Sequence, residues 1–136
     1  DIDPFRIEHA RKLFPDLQTC DPEDIYSHQT DIFAPCALGD VINTSTVSKL
    51  RCKIICGAAN NQLASNAMDA FLSERGIVYI PDFFANGGGL IYASSQYENS
   101  DADSATEVAK IYSRCLGHIR AASAEGCSLL THLQRL

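Results

Sequence analysis

At 136 residues the chain has the length of one domain, or of part of one. Its 46% hydrophobic and 21% charged residues are ordinary for a folded protein, and its longest apolar runs are strand-sized, too short for a membrane helix or a secretory leader. A net charge of −6 with no basic cluster argues against nucleic acid as a partner, so an anionic ligand would have to be met by local backbone donors.

In chain order, Asp3-Pro4 predicts a helix with an N-cap and a proline in its first turn; Ile7, Ala10 and Phe14 follow at helical spacing and Pro15 ends the run. Asp21 to Asp24 repeats the cap-and-proline signal for a short helical turn. Asp31 to Ala34 predicts a short strand running into a loop at Pro35, and Asn43 to Ser48 a polar turn or short helix. Lys53 to Cys56 and Ile77 to Ile80 predict two more strands, so uniformly apolar after the lysine that both sheet faces are expected to be covered. Between them a helix capped by Ser65 or Asn66 carries Met68, Phe71 and Leu72 and closes at Gly76. A shorter helix is expected from Leu90 to about Glu98, and Asn99 to Asp103 is a polar, linker-like stretch. Beyond it Val108, Tyr112, Cys115, Ile119 and Ala122 form the apolar stripe of an amphipathic helix, closed by Gly126. This alternation predicts an α/β fold with a parallel sheet. Three strands are few for a doubly wound sheet, and the rest are expected upstream of Asp1.

Six cysteines (Cys20, Cys36, Cys52, Cys56, Cys115 and Cys127) show no CxxC and no metal-ligand spacing. They are expected to be free, buried thiols in a reducing cytosol, with neither zinc nor disulfide. Cys36 has no base at a recognisable spacing and is not expected to act as a nucleophile. His9, His28, His118 and His132 are expected to be solvated or packing residues. None of Lys12, Lys49, Lys53 and Lys110 stands in a setting that suits a catalytic base.

The informative residues stand where strands end. In parallel α/β sheets ligands bind beyond the carboxyl ends of the strands, and two side-chain amides, Asn60 and Asn86, follow two such ends at once. An amide offers a donor and an acceptor without charge, which suits holding a carboxylate or an amine. Asn61 and Gln62 are expected to shape the loop through hydrogen bonds to backbone. Because Asn tolerates left-handed conformations, both Asn60 and Asn61 could serve the turn alone. Gly87, Gly88 and Gly89 would let backbone approach a flat ring, but they lack the GxGxxG spacing of a phosphate-binding loop.

DIFAPCALG followed by VIN, KIICGAANNQL, GIVYIPDFFANGGG and, more weakly, the opening DID occur in order and at matched spacing between Asp1 and about Tyr97. Together they resemble the leucine/phenylalanine/valine dehydrogenase family, relatives of glutamate dehydrogenase. The resemblance implies a Rossmann-like parallel sheet lacking its first strands and glycine-rich loop. Residues 1–98 would be the later part of the dinucleotide-binding domain and residues 99–136 a C-terminal helical segment of the same unit. It further implies NAD as cofactor, oxidation of an L-amino acid to the 2-oxo acid and ammonia, a cytoplasmic location and a homo-oligomer.

Residue by residue, the resemblance puts Asp1 or Asp3 at the ribose-binding acid, where a carboxylate accepts from ribose hydroxyls and repels a 2′-phosphate; Asp3 is equally readable as only an N-cap. Cys36 and Ala37 would line the cofactor's ribose and phosphate path through backbone or packing. Asn60 would meet substrate and cofactor, and Asn86 the nicotinamide end. Leu90 and Ala93 would wall the substrate side-chain pocket, or else simply pack their helix. The small Ala93 leaves room for a bulky or aromatic substrate, while Tyr92 stands where the family pattern has Asn. The family's catalytic lysines and aspartate lie in its other domain, so no catalytic residue is expected here and the chain alone is expected to be inactive. The alternative is a non-catalytic remnant that serves as an interaction or assembly module.

Overall fold

Three short parallel strands organise the chain. The computed structural model describes residues 1–97 and 104–136, and in it β1 (Ile32–Phe33), β2 (Ile54–Ile55) and β3 (Val78–Tyr79) lie side by side in sequence order. Ile32 pairs with Ile54 and Phe33 with Ile55; Ile54 pairs in turn with Val78 and Ile55 with Tyr79. Each expected strand is present, trimmed to its two central residues.

Side chains alternate along a strand, so this register gives the sheet two distinct apolar rows. Phe33, Ile55 and Tyr79 face the core, where Ile42, Val47, Leu50, Cys52, Met68, Leu72 and Ile77 gather around them. Ile32, Ile54 and Val78 form the other row and are 54%, 36% and 40% exposed. The expectation of cover on both faces is therefore corrected: this chain covers one face well. Beside β3, residues Val78, Ile119, Ala122 and Leu129 among others line an open cavity of about 260 Å³.

Helix α1 (Pro4–Leu13) starts as expected, with the Asp3 carboxylate accepting from the Phe5 N–H, but none of its residues is buried. Helix α2 (Ala67–Glu74) packs on β3; Met68 and Leu72 are buried while Phe71 stays exposed. Asn66 precedes it without making a side-chain cap bond. Both expected glycine closures are present. Gly76 and Gly126 have φ of 71° and 67°, a left-handed conformation that glycine adopts without penalty. Past them, the Ile77 N–H donates to the Leu72 carbonyl at 2.9 Å and the Cys127 N–H to that of Ala122 at 3.1 Å. Asn43 to Ser48 is a turn, with the Asn43 side chain accepting from the Ser45 N–H.

Two short helices were not foreseen, α3 (Asp82–Ala85) and α6 (Leu129–Leu133); α4 (Gly88–Tyr97) and α5 (Ser104–Glu125) were. The α5 stripe holds at Ala122, which is buried, and at Cys115 and Ile119, which are half-buried, but not at Tyr112, which is 76% exposed. The expected linker Asn99 to Asp103 and the end of α4 at Glu98 lie outside the described residues. Among the described residues no helix is long and apolar enough to cross a membrane.

Candidate functional site

The carboxyl ends of the three strands meet in one cluster. Leaving β1, the chain reaches Pro35 and Cys36; leaving β2, it makes the turn Gly57 to Asn60; leaving β3, it passes Pro81 into α3 and arrives at Asn86. The first two exits touch. The Ala59 N–H donates to the Pro35 carbonyl at 3.0 Å, and the Ala58 N–H reaches the Cys36 Sγ at 3.4 Å. A Cβ on Gly57 would fall 2.1 Å from the Pro35 carbonyl oxygen, so only glycine fits.

The third exit is tied to the second by side chains. The Asn86 Nδ2 donates to the Ala58 carbonyl at 3.2 Å and to the Asn60 Oδ1 at 2.6 Å. The Asp82 carboxylate accepts from the Asn61 N–H at 2.7 Å. These bonds fix amide polarity. A carbonyl only accepts, so the Asn86 atom facing Ala58 must be Nδ2, and the Asn60 atom facing that nitrogen must be Oδ1. Asn60 is exposed, and its Nδ2 donates to no group among the described residues. The site therefore presents two N–H donors at Asn60 and the unused Oδ1 acceptor of Asn86, an edge with no formal charge. That donor set fits a carboxamide or a carboxylate.

Asn61 takes φ of 52°, and the Gln62 side chain bonds the carbonyls of Gly57 and Ala59, so both shape the loop as expected. The turn is anchored from below as well: the Asp40 N–H donates to the Asn61 carbonyl at 2.7 Å and the Ile42 N–H to that of Gln62 at 3.0 Å.

Other expected site residues fall as follows. Cys36 and Ala37 are exposed at the β1 exit, beside the turn. Leu90 and Ala93 are both exposed on α4, Leu90 at 77%. Asp1 and Asp3 sit at the start of α1. The Asp1 carboxylate accepts from the Asp3 N–H and pairs with Arg6, and Asp3 caps the helix, with no bond to the Asn60–Asn86 pair. The structure brings Asn60, Asn86, Cys36 and Ala37 to neighbouring strand exits and, among the described residues, joins the two aspartates to their own helix.

Several expectations about the remaining titratable groups change. The cysteines are free but not uniformly buried: Cys20 and Cys36 are exposed. Burial, then the neighbouring Cys36, pushes the Cys56 thiol up, away from thiolate chemistry. The Asp31 carboxylate, 2.7 Å from the Lys53 Nζ, raises the lysine, opposite to what a proton-abstracting amine needs. His118 and His132 do more than fill space: their Nδ1 and Nε2 lie 3.2 Å apart, and His132 Nδ1 is 3.0 Å from Glu125. The His118 ring meets the Phe84 edge at 5.7 Å, linking α5 and α6 to α3.

Sequence reasoning missed Asp82 and the Asn60–Asn86 contact. The Pro81-Asp82 pair was a readable helix-start signal for α3, but nothing in the sequence shows a carboxylate reaching a backbone N–H 21 residues back.

Comparisons with known proteins agree with this geometry. Residues 6–128 match the sequence profile described as glutamate/leucine/phenylalanine/valine dehydrogenase. An L-tryptophan dehydrogenase of Nostoc punctiforme is 38% identical over 138 aligned residues, covering all of this chain but 39% of that protein. A leucine dehydrogenase of Bacillus subtilis is 42% identical over 105 residues, covering 77% of this chain and 29% of that protein. The crystal structure of the Nostoc punctiforme L-tryptophan dehydrogenase superposes with a TM-score of 0.92 at 36% identity, over 99% of this chain and 42% of that one. The chain thus spans about two fifths of the relative it matches end to end.

Proposed function

This chain belongs to the glutamate/leucine/phenylalanine/valine dehydrogenase family, and from that premise we propose that it is the cofactor-side part of an NAD-dependent L-amino-acid dehydrogenase. The reaction is oxidative deamination of an apolar or aromatic L-amino acid to the 2-oxo acid and ammonia. The observation that carries this reading is the Asn60–Asn86 contact across the carboxyl ends of β2 and β3.

Bound NAD supplies the hydride acceptor; this chain's residues supply orientation. Asn60 donates from Nδ2 to an oxygen of the substrate or of the nicotinamide carboxamide. Asn86 holds Asn60 in place and offers its own Oδ1 to an N–H of the ring's carboxamide. Cys36 and Ala37 give the ribose–phosphate path a wall of exposed backbone. Asp1 or Asp3 accepts from the ribose hydroxyls, and both retain carboxylate oxygens accessible to solvent. Leu90 and Ala93 form the substrate-facing surface of α4, and the small Ala93 favours a large side chain. Tryptophan comes first in that class because the relative matched over the whole chain is a tryptophan dehydrogenase. The proton-abstracting base lies in the part of the enzyme outside this chain, so the 136-residue segment is inactive alone, and the enzyme is a soluble, cytoplasmic homo-oligomer.

The test is NAD reduction by the full-length protein, offered tryptophan, phenylalanine, leucine, valine and glutamate, beside an Asn60→Ala variant. Turnover of an aromatic or aliphatic amino acid, with kcat/KM reduced at least about 100-fold in the variant, is the expected result. A folded full-length protein that turns over none of the five would replace this reading with that of a non-catalytic remnant.

A further inference from the structure

Gln62 lies beneath the turn that carries Asn60, fully buried. Its Nε2 donates to the Gly57 carbonyl at 2.7 Å and to the Ala59 carbonyl at 2.9 Å. Asn86 holds the carbonyl between them, that of Ala58. Side-chain amides thus take three successive carbonyls of one turn, two of them through Gln62. Its own backbone is pinned in turn by a parallel bridge, its carbonyl accepting from the Ile42 N–H while the Ala64 N–H donates to the Ile42 carbonyl.

The other half of the Gln62 amide is the telling part. Its Oε1 is buried and meets no donor among the described residues. An unmet buried acceptor carries a desolvation cost that an apolar side chain filling the same space would not incur. A buried amide kept at that cost is explained by its two donors, which set the peptide planes from 57 to 60. Local violations of this kind concentrate at functional sites.

We propose that Gln62 is a positioning residue for the reaction: it holds the turn so that Asn60 aims its Nδ2 at an acceptor oxygen of carboxylate or carboxamide type. The inference rests on the dehydrogenase reading for what that oxygen belongs to, and on the geometry of this chain for the rest.

The experiment compares the full-length protein with Gln62→Met, which keeps length and removes both donors, and Gln62→Glu, which keeps shape. Three quantities are read: amide hydrogen exchange over residues 57–61, NADH affinity by fluorescence, and kcat and KM for the amino acid. Gln62→Met is expected to melt cooperatively, to exchange at least about tenfold faster over 57–61 with α2 unchanged, and to lose about 10- to 100-fold in kcat/KM. Weakened NADH binding would assign the acceptor to the carboxamide; a raised amino-acid KM with NADH binding intact would assign it to the substrate carboxylate.

Gln62→Glu adds a signature that a merely structural role lacks. A buried carboxyl that takes up a proton regains one O–H donor, so its kcat/KM relative to wild type should rise as pH is lowered. Unchanged exchange over 57–61 together with kcat/KM within twofold of wild type in Gln62→Met overturns the proposal. Should that variant not fold, a flat pH ratio for Gln62→Glu overturns it. A wild-type protein without turnover sinks the dehydrogenase reading separately, and the exchange comparison still decides whether Gln62 holds the turn.

Discussion

A methyl group at position 57 has nowhere to go. It would stand 2.1 Å from the Pro35 carbonyl oxygen and 2.5 Å from the Pro35 nitrogen, both backbone atoms that no rotamer change can move. Gly57→Ala must push the β1 and β2 exits apart, and with them the bond from Ala59 to Pro35 and the seat of Asn60. We expect the full-length protein to lose about 3 kcal/mol or more, the upper range for overpacking, seen as a lower thermal midpoint. A midpoint within a degree of wild type would mean that the two exits are not packed as described. At this scale much of the site was legible and its wiring was not. Asn60 and Asn86 stood out because each follows an apolar run, and Gln62 because it sits in the same polar loop. Their mutual bonds span 26 residues between the asparagines, a pairing that depends on how β2 and β3 lie side by side. Asp3 shows the opposite limit: one carboxylate can cap a helix and face a ribose, and its sequence context is the same for both.

Helix α6 is held to α2 by the hydroxyl of the half-buried Ser128 donating to the buried Asp69 carboxylate. Burial raises the Asp69 carboxyl above the usual carboxylate range, with the Ser128 hydroxyl pulling the other way. The folded state therefore binds this proton more tightly than the unfolded state does. Stability from this group is fully present below the ordinary carboxylate value and is lost as pH rises through the raised one. An asparagine at this position would keep an acceptor for Ser128 and stay neutral throughout. Asp69→Asn is accordingly expected to raise the thermal midpoint at pH 7 by a few degrees, with the difference shrinking toward zero near pH 3. Parallel melting curves across that range would remove Asp69 from the pH dependence. Long or punctuated elements were the legible ones. Gly76 and Gly126 marked two helix ends correctly, and all three strands were placed. Helices α3 and α6, at 4 and 5 residues, are too short for a periodic signal, though Pro81 and Ser128 stand at their starts. Tyr112 falls off the packed stripe of α5 because spacings of three and four fit two adjacent stripes, and only packing chooses between them.

The strands are apolar on both faces, yet the chain covers one. Ile32, Ile54 and Val78 line up across the sheet by register and remain between about a third and a half exposed. Uniformly apolar parallel strands belong in sheets buried on both sides, so this row calls for cover from outside the described residues. On the proposed reading, the cover is the rest of a dehydrogenase polypeptide, of which this chain matches about two fifths. Exposed alone, the row should make the isolated segment self-associate and bind a hydrophobic dye, since contiguous apolar patches do not stay free in water. Val78→Lys separates the possibilities. In the isolated segment it is expected to reduce association and dye binding with little change in midpoint. In the full-length protein it should destabilise by about 2–3 kcal/mol, because a buried aliphatic group is lost and a charge takes its place. A lysine tolerated within about 0.5 kcal/mol in the full-length protein, as at an ordinary surface site, would show that the row stays open there. The second sheet face would then be a surface in its own right, and the length of its strands' apolar runs would need a partner other than the enzyme's own chain.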